Sequence, residues 1–206
     1  KFYSRSTYVG HPLMDEIKLK KTSLSSSGKV AFLPGSRRSE ISRLMPVYRE
    51  LAKKIDAKRL LVVPPFLLDK VGEIYGDVSD CEVVSNTPEA LYESDFAFVC
   101  SGTATLEAAL IGTPFVLAYK AKAIDVFIAR KFVKIKHAGL ANIMFDFMGK
   151  EPLHEEFIQE FATAENLLRA YESCDRQKFL KGCDELRAYL GHGSSKNVVK
   201  ILKNME

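Results

Sequence analysis

The chain has 206 residues, 47% of them hydrophobic, which is enough for one sizeable buried core. Its 30 Lys and Arg against 26 Asp and Glu leave a formal net charge of +4, a mild bias that excludes the dense positive field of a nucleic-acid binder. The four cysteines (Cys81, Cys100, Cys174 and Cys183) form no C-x-x-C pair and stand at no metal-ligand spacing to a histidine, so the pattern predicts free thiols in a reducing cytosol and neither a zinc site nor a disulfide scaffold.

From the N-terminus, short β-branched runs alternate with turns containing Gly or Pro and with segments of helical apolar spacing, the signature of βαβ units. The runs are Thr7 to Gly10, Lys29 to Leu33, Arg59 to Val63, Cys81 to Val84, Asp95 to Cys100 and Pro114 to Tyr119. Several are apolar at nearly every position, as strands covered on both faces of a parallel sheet should be. Ser23 to Gly28 reads as a polar loop. Ile41, Leu44, Tyr48, Leu51, Ala52 and Ile55 form a helical stripe in which Pro46 predicts a kink or a restart. Thr87-Pro88-Glu89 reads as an N-cap, a first-turn proline and a dipole-matched acid. After about residue 150 the pattern predicts helices only, over Glu155 to Ala170, Asp175 to Leu190 and Ser194 to Asn204. The expected fold is α/β, a Rossmann-like three-layer domain over 1–190. The helix in 191–206 would pack on this domain, on a further domain or on a partner chain.

Ligands of open α/β sheets bind at the carboxyl ends of strands, so two strand-to-helix junctions are candidate sites. In Leu33-Pro34-Gly35-Ser36-Arg37-Arg38-Ser39-Glu40, Gly35 allows close backbone approach to an anion and Ser36 offers a hydroxyl. Arg37 offers a charge-assisted hydrogen bond, worth about 1.5 to 3 kcal/mol, to a phosphate. The competing reading is a tight turn with a serine cap and solvated arginines. In Ser101-Gly102-Thr103-Ala104-Thr105-Leu106-Glu107, the small residues leave room at a helix start. Glu107 comes four residues after Thr103, too far for a capping box, and its carboxylate suits two ribose hydroxyls. The alternative is an acid placed for the helix dipole. Neither loop matches a Walker A or a G-x-G-x-x-G pattern, which disfavours ATP hydrolysis and hydride transfer.

At these residues the sequence resembles the C-terminal domain of the lipid-A-disaccharide synthases, a family of GT-B glycosyltransferases. The resemblance runs from Tyr8-Val9-Gly10-His11-Pro12-Leu13 through the two junctions to Gly139-Leu140-Ala141-Asn142-Ile143. It implies one half of a two-domain enzyme, with the other, N-terminal half and its catalytic acid absent from this chain. In the family, UDP-2,3-diacylglucosamine donates its sugar with inversion to 2,3-diacylglucosamine 1-phosphate, a lipid X-type acceptor, and UDP leaves. The resemblance places Gly35, Ser36 and Arg37 near the diphosphate, with Ser101, Gly102 and Thr103 as further donors, and it places Glu107 at the ribose. Asn142 is a candidate for orienting the donor, or else an Asn in a turn. His11 would contact substrate where two domains meet, or serve structurally at a strand end. A site without a metal-binding carboxylate pair must stabilise departing UDP by positive charge and N–H dipoles, so no metal or other cofactor is expected.

The stretch from Ala123 to Lys136 mixes bulky apolar residues with Arg130, Lys131, Lys134 and Lys136. Near an anionic leaflet each cation contributes about 1 kcal/mol, which suits a peripheral protein on the cytoplasmic face of the inner membrane. An ordinary core helix with cations at its C-terminus is the alternative. No stretch approaches the roughly 20 apolar residues that span a bilayer. Competing functional readings are another GT-B UDP-sugar transferase, a UDP-sugar epimerase, and a non-catalytic nucleotide-binding module. Whether a homodimer forms stays open.

Overall fold

In the computed structural model, which describes residues 6–24, 26–121 and 136–204, the central βαβ pattern becomes one parallel sheet. Its strands are β1 (Lys29–Leu33), β2 (Lys58–Val62), β3 (Glu82–Val84), β4 (Phe96–Cys100), β5 (Phe115–Tyr119) and β6 (Glu156–Ile158). They lie in the order β3-β2-β1-β4-β5-β6, and every neighbouring pair is parallel. The helices are α1 (Pro12–Glu16), α2 (Arg38–Ala52), α3 (Val71–Tyr75), α4 (Thr87–Glu93), α5 (Thr103–Ile111), α6 (Leu140–Phe147), α7 (Ala164–Ser173), α8 (Arg176–Leu190) and α9 (Ser194–Lys203), with 3-10 turns at Pro65–Lys70 and Gln159–Phe161.

The near-continuous apolar strands have their physical explanation in two cores, one on each face. Successive strand side chains point to opposite faces. Val30, Phe32, Leu61, Phe96 and Phe98 therefore pack against α2, α3 and α7, while Ala31, Leu33, Leu60, Ala97 and Val99 pack against α4, α5, α6 and α8. Phe32 and Phe98 stack across the β1–β4 pair with centroids 5.1 Å apart. The chain winds outward from β1 to β3, then returns to β4 and winds the other way to β6. The loops that leave β1 and β4 thus part to opposite faces, and a crevice opens between them at the carboxyl edge.

Four expectations need correction. Thr7 to Gly10 forms no strand: Gly10 takes φ +99°, and the segment is tied to the C-terminal region instead. There the Tyr8 hydroxyl donates to the Leu190 carbonyl and Asn197 Nδ2 donates to the Val9 carbonyl at 2.9 Å. The chain beyond residue 150 is not purely helical, because β6 adds to the sheet edge beside β5, with the Leu117 amide donating to the Glu155 carbonyl at 3.0 Å. Asn86, not Thr87, caps α4 by accepting from the Glu89 amide at 3.2 Å. Helix α2 is continuous through Pro46, so no new helix starts there, and both Pro46 and Ser42, whose carbonyl loses its i+4 donor, are exposed.

At the C-terminus, the Asp15 carboxylate of α1 accepts the Gly193 and Ser194 amides at 2.7 and 2.8 Å and so anchors the start of α9. Arg130, Lys131 and Lys134 lie outside the described residues. Lys136 is exposed and pairs with Asp146 at 3.2 Å. No helix among the described residues is long and apolar enough to cross a membrane.

Candidate nucleotide site

The crevice between β1 and β4 is a cleft of about 400 Å³, and its walls are the two junctions singled out from sequence. Gly35, Ser36 and Arg37 form one wall; Ser101, Gly102, Thr103 and Glu107 form the other. Val62, Pro64, Thr87, Glu40 and Cys100 also line it. The first group follows β1 and the second follows β4, so the strand register itself, with Leu33 beside Val99, brings the walls together.

Glycine is required in both walls. Gly35 sits at φ +101°, and a Cβ there would come within 2.7 Å of Glu40 Oε2 and 3.2 Å of Cys100 Sγ. Gly102 sits at φ +150°, and a Cβ would meet nothing within 4 Å, so the backbone there faces open space. As the N-cap of α5, Gly102 contributes no side-chain cap; the Thr105 amide turns back to the Gly102 carbonyl at 3.2 Å, and the Thr103 and Ala104 amides precede the first intrahelical acceptor. They add the positive end of a helix dipole to an open cleft, an arrangement suited to an anion.

Glu40 is the residue that sequence reasoning passed over. It is the third residue of α2, buried to 6% exposure, and it accepts the Arg37 amide at 3.3 Å and the Arg37 guanidinium at 2.8 Å. An acid three residues after the N-cap was a readable signal. The pairing holds Arg37 protonated, and its side chain is 78% exposed. Only one of its five donors is spent on Glu40, which leaves the fork free to meet a phosphate. Arg38 turns away and pairs with Glu73 at 2.8 Å.

Glu107 faces a second hollow of about 470 Å³ that shares Thr87 with the cleft and is bounded by Leu13, Glu16 and Asn86. Burial first, and the Glu16 charge second, push its carboxyl above the ordinary range. A raised native pKa means the folded state keeps its proton longer than the unfolded chain. Ionising Glu107 therefore costs stability as pH rises from the unfolded value through the folded one, and the cost persists above it. Glu107→Gln should raise the melting temperature of unliganded protein at pH 7 but not at pH 4, while weakening uridine binding. Thermal scans at both pH values, paired with uridine titration, check the sign; a lowered melting temperature at pH 7 contradicts it.

Three candidates occupy other positions or offer less than expected. Asn142 is 1% exposed and does not line the cleft. Its amide donates to the His154 carbonyl at 2.9 Å and to Glu156 Oε1 at 2.8 Å, and its oxygen accepts the Leu153 and His154 amides at 2.8 and 3.2 Å. The side chain anchors the 153–156 segment and stands outside the lining of this cleft. His11 caps α1, accepting the Leu13 amide at its Nδ1 at 3.3 Å, and is absent from the cleft lining. Ser101 is in the wall, but its hydroxyl donates to the Ala138 carbonyl at 2.8 Å, which leaves the backbone amide as its donor toward a ligand.

Over residues 1–195 the sequence matches the family described as lipid-A-disaccharide synthetase. A lipid-A-disaccharide synthase of Campylobacter jejuni subsp. jejuni serotype O:2 is 54% identical, covering 99% of this chain, and one of Helicobacter pylori strain G27 is 44% identical, covering 96%. The chain spans 58% of the length of each of these relatives. Among solved structures, Acinetobacter baumannii MurG superposes with a TM-score of 0.54 at 14% identity, over 90% of this chain and 54% of that one. The glycosyltransferase SnogD from Streptomyces nogalater gives 0.50 at 17%, over 84% and 43%. Those two likenesses are of fold: the domain has the Rossmann-like architecture found in one half of GT-B glycosyltransferases.

Proposed function

Because this chain belongs to the lipid-A-disaccharide synthetase family, we propose that it is the donor-nucleotide half of a glycosyltransferase, holding UDP-2,3-diacylglucosamine for inverting transfer to 2,3-diacylglucosamine 1-phosphate. One observation carries the reading: two glycine-bearing junctions from adjacent parallel strands line a single cleft that presents backbone amides and one exposed guanidinium. The diphosphate belongs in that cleft between Arg37 and the head of α5. The nucleoside extends past Thr87 into the hollow beside Glu107, where a carboxylate accepts from the ribose hydroxyls.

In the mechanism that follows from this placement, the anomeric C–O bond breaks as charge develops on the leaving UDP oxygen. Arg37 and the α5 amides are already oriented toward that charge, so they stabilise it with little reorganisation. No metal is required in this scheme. The acceptor hydroxyl and the base that takes its proton lie outside the residues of this cleft, and Lys136 and the neighbouring basic segment serve an anionic membrane surface where acylated substrates reside.

Calorimetric titration with UDP, UMP, ADP and NAD tests the assignment. UDP should bind most tightly, UMP more weakly by the contribution of its missing phosphate, and the adenine nucleotides least. Preference for an adenine nucleotide would point to a nucleotide-binding module of another kind.

A further inference from the structure

Beyond the cleft, one buried carboxylate joins β6 to the wall that holds Ser101. Glu156, the first residue of β6, is fixed in the sheet opposite Leu117, and its side chain is 9% exposed. Its oxygens accept the Ala138 amide at 2.7 Å, the Gly139 amide at 3.1 Å and the Asn142 side-chain amide at 2.8 Å. The first two donors belong to the segment that leads into α6, and Asn142 lies in the first turn of that helix. The same segment reaches back to the cleft wall at two points: the Ala138 carbonyl accepts from Ser101 Oγ at 2.8 Å, and the Leu140 amide donates to Thr105 Oγ1 at 3.2 Å. Thr105 Oγ1 in turn donates to the Gly102 carbonyl at 2.8 Å. A continuous path of hydrogen bonds therefore runs from Glu156 to both sides of Gly102.

We infer that Glu156 is a positioning residue for the anion-binding wall, setting the Ser101 and Gly102 amides through the 137–140 segment without touching the ligand. The physical need is plain. Gly102 sits where only glycine is comfortable, a Cβ there would meet nothing within 4 Å, and it carries no side-chain cap, so the turn is held locally through its carbonyl by Thr105, the residue that the Leu140 amide braces from outside. A carboxylate suits the task because it is acceptor-only and takes both adjacent backbone amides with the Asn142 amide; a glutamine offers one oxygen and an NH2 that opposes a backbone N–H. The inference rests on the nucleotide reading above and extends it to a residue that lines no part of the cleft.

The test is a double-mutant cycle on this chain, with Glu156→Gln, Ser101→Ala and the pair, titrated with UDP and with uridine and accompanied by thermal scans. Each single variant should weaken UDP about tenfold, the scale of one hydrogen bond to a charged group, with uridine changed by less than about twofold. The pair should lose about as much as Glu156→Gln alone, because both act on one path. Additive losses, equal losses for UDP and uridine, or a melting temperature that falls with UDP affinity intact would each overturn the proposal. Should Glu156→Gln fail to fold, Ser101→Ala alone decides: unchanged UDP affinity there rejects the path. If the unsubstituted chain binds no UDP, the nucleotide reading itself fails, a result distinct from all of these.

Discussion

Arg37→Ala is expected to weaken UDP binding by about 10- to 100-fold while changing uridine binding by less than about twofold. The substitution acts twice. It removes the guanidinium exposed at the rim of the cleft, and it strips the buried Glu40 carboxylate of the cation 2.8 Å away, so that an unopposed negative charge faces the incoming diphosphate. Both effects scale with ligand charge, which predicts the order of loss UDP, then UMP, then uridine. The double variant Arg37→Ala with Glu40→Gln should recover part of the lost affinity, because the glutamine oxygen still accepts the residue 37 amide without the charge. Equal losses for the three ligands would show that Arg37 does not meet the diphosphate.

Asn142→Ala is expected to cost about 3 kcal/mol of stability, a drop of about 6 to 12 °C in melting temperature for a chain of this size. The estimate comes from the groups it strands. The Leu153 and His154 amides lose their side-chain acceptor, and the His154 carbonyl and Glu156 lose a donor, where Asn142 and His154 are buried and Leu153 and Glu156 half-buried. His154 cannot compensate, since burial drops its imidazole pKa to about 4 and keeps it neutral, packed on Phe115 with ring centroids 4.2 Å apart. Differential scanning calorimetry measures the loss. An unchanged melting temperature together with lost nucleotide-sugar binding would return Asn142 to the ligand.

The two glycine-bearing turns were readable from the chain because their demands are local. A glycine before a helix start, flanked by small or hydroxyl residues, needs no tertiary information to suggest an open amide cluster. Glu40 was readable in the same local way, as an acid three residues past the N-cap, but its partner was not: pairing with Arg37 follows from burial beneath the loop. Asn142 and His11 show the opposite case. Both sit in segments that carried the resemblance, and both side chains are engaged by groups at positions that spacing does not reveal. Nothing in the order of residues places Leu153 and His154 against Asn142.

What the amino-acid order determined by itself was therefore the layered α/β class, the location of β1, β2, β4 and β5 to within a residue or two, and the position of the two glycine-bearing turns after β1 and β4. Apolar periodicity and glycine position are properties of a few consecutive residues, and solvent exclusion acts on them directly. Tertiary structure alone decided that β6 completes the sheet edge, that Thr7 to Gly10 docks on the C-terminal region, and that Glu156 holds the Ala138 segment to which the cleft wall is bonded. Those outcomes depend on which distant groups find a hydrogen-bonding partner once the core has closed. A three-residue strand beginning with Glu156 has too little intrinsic preference to announce itself before β5 offers an edge.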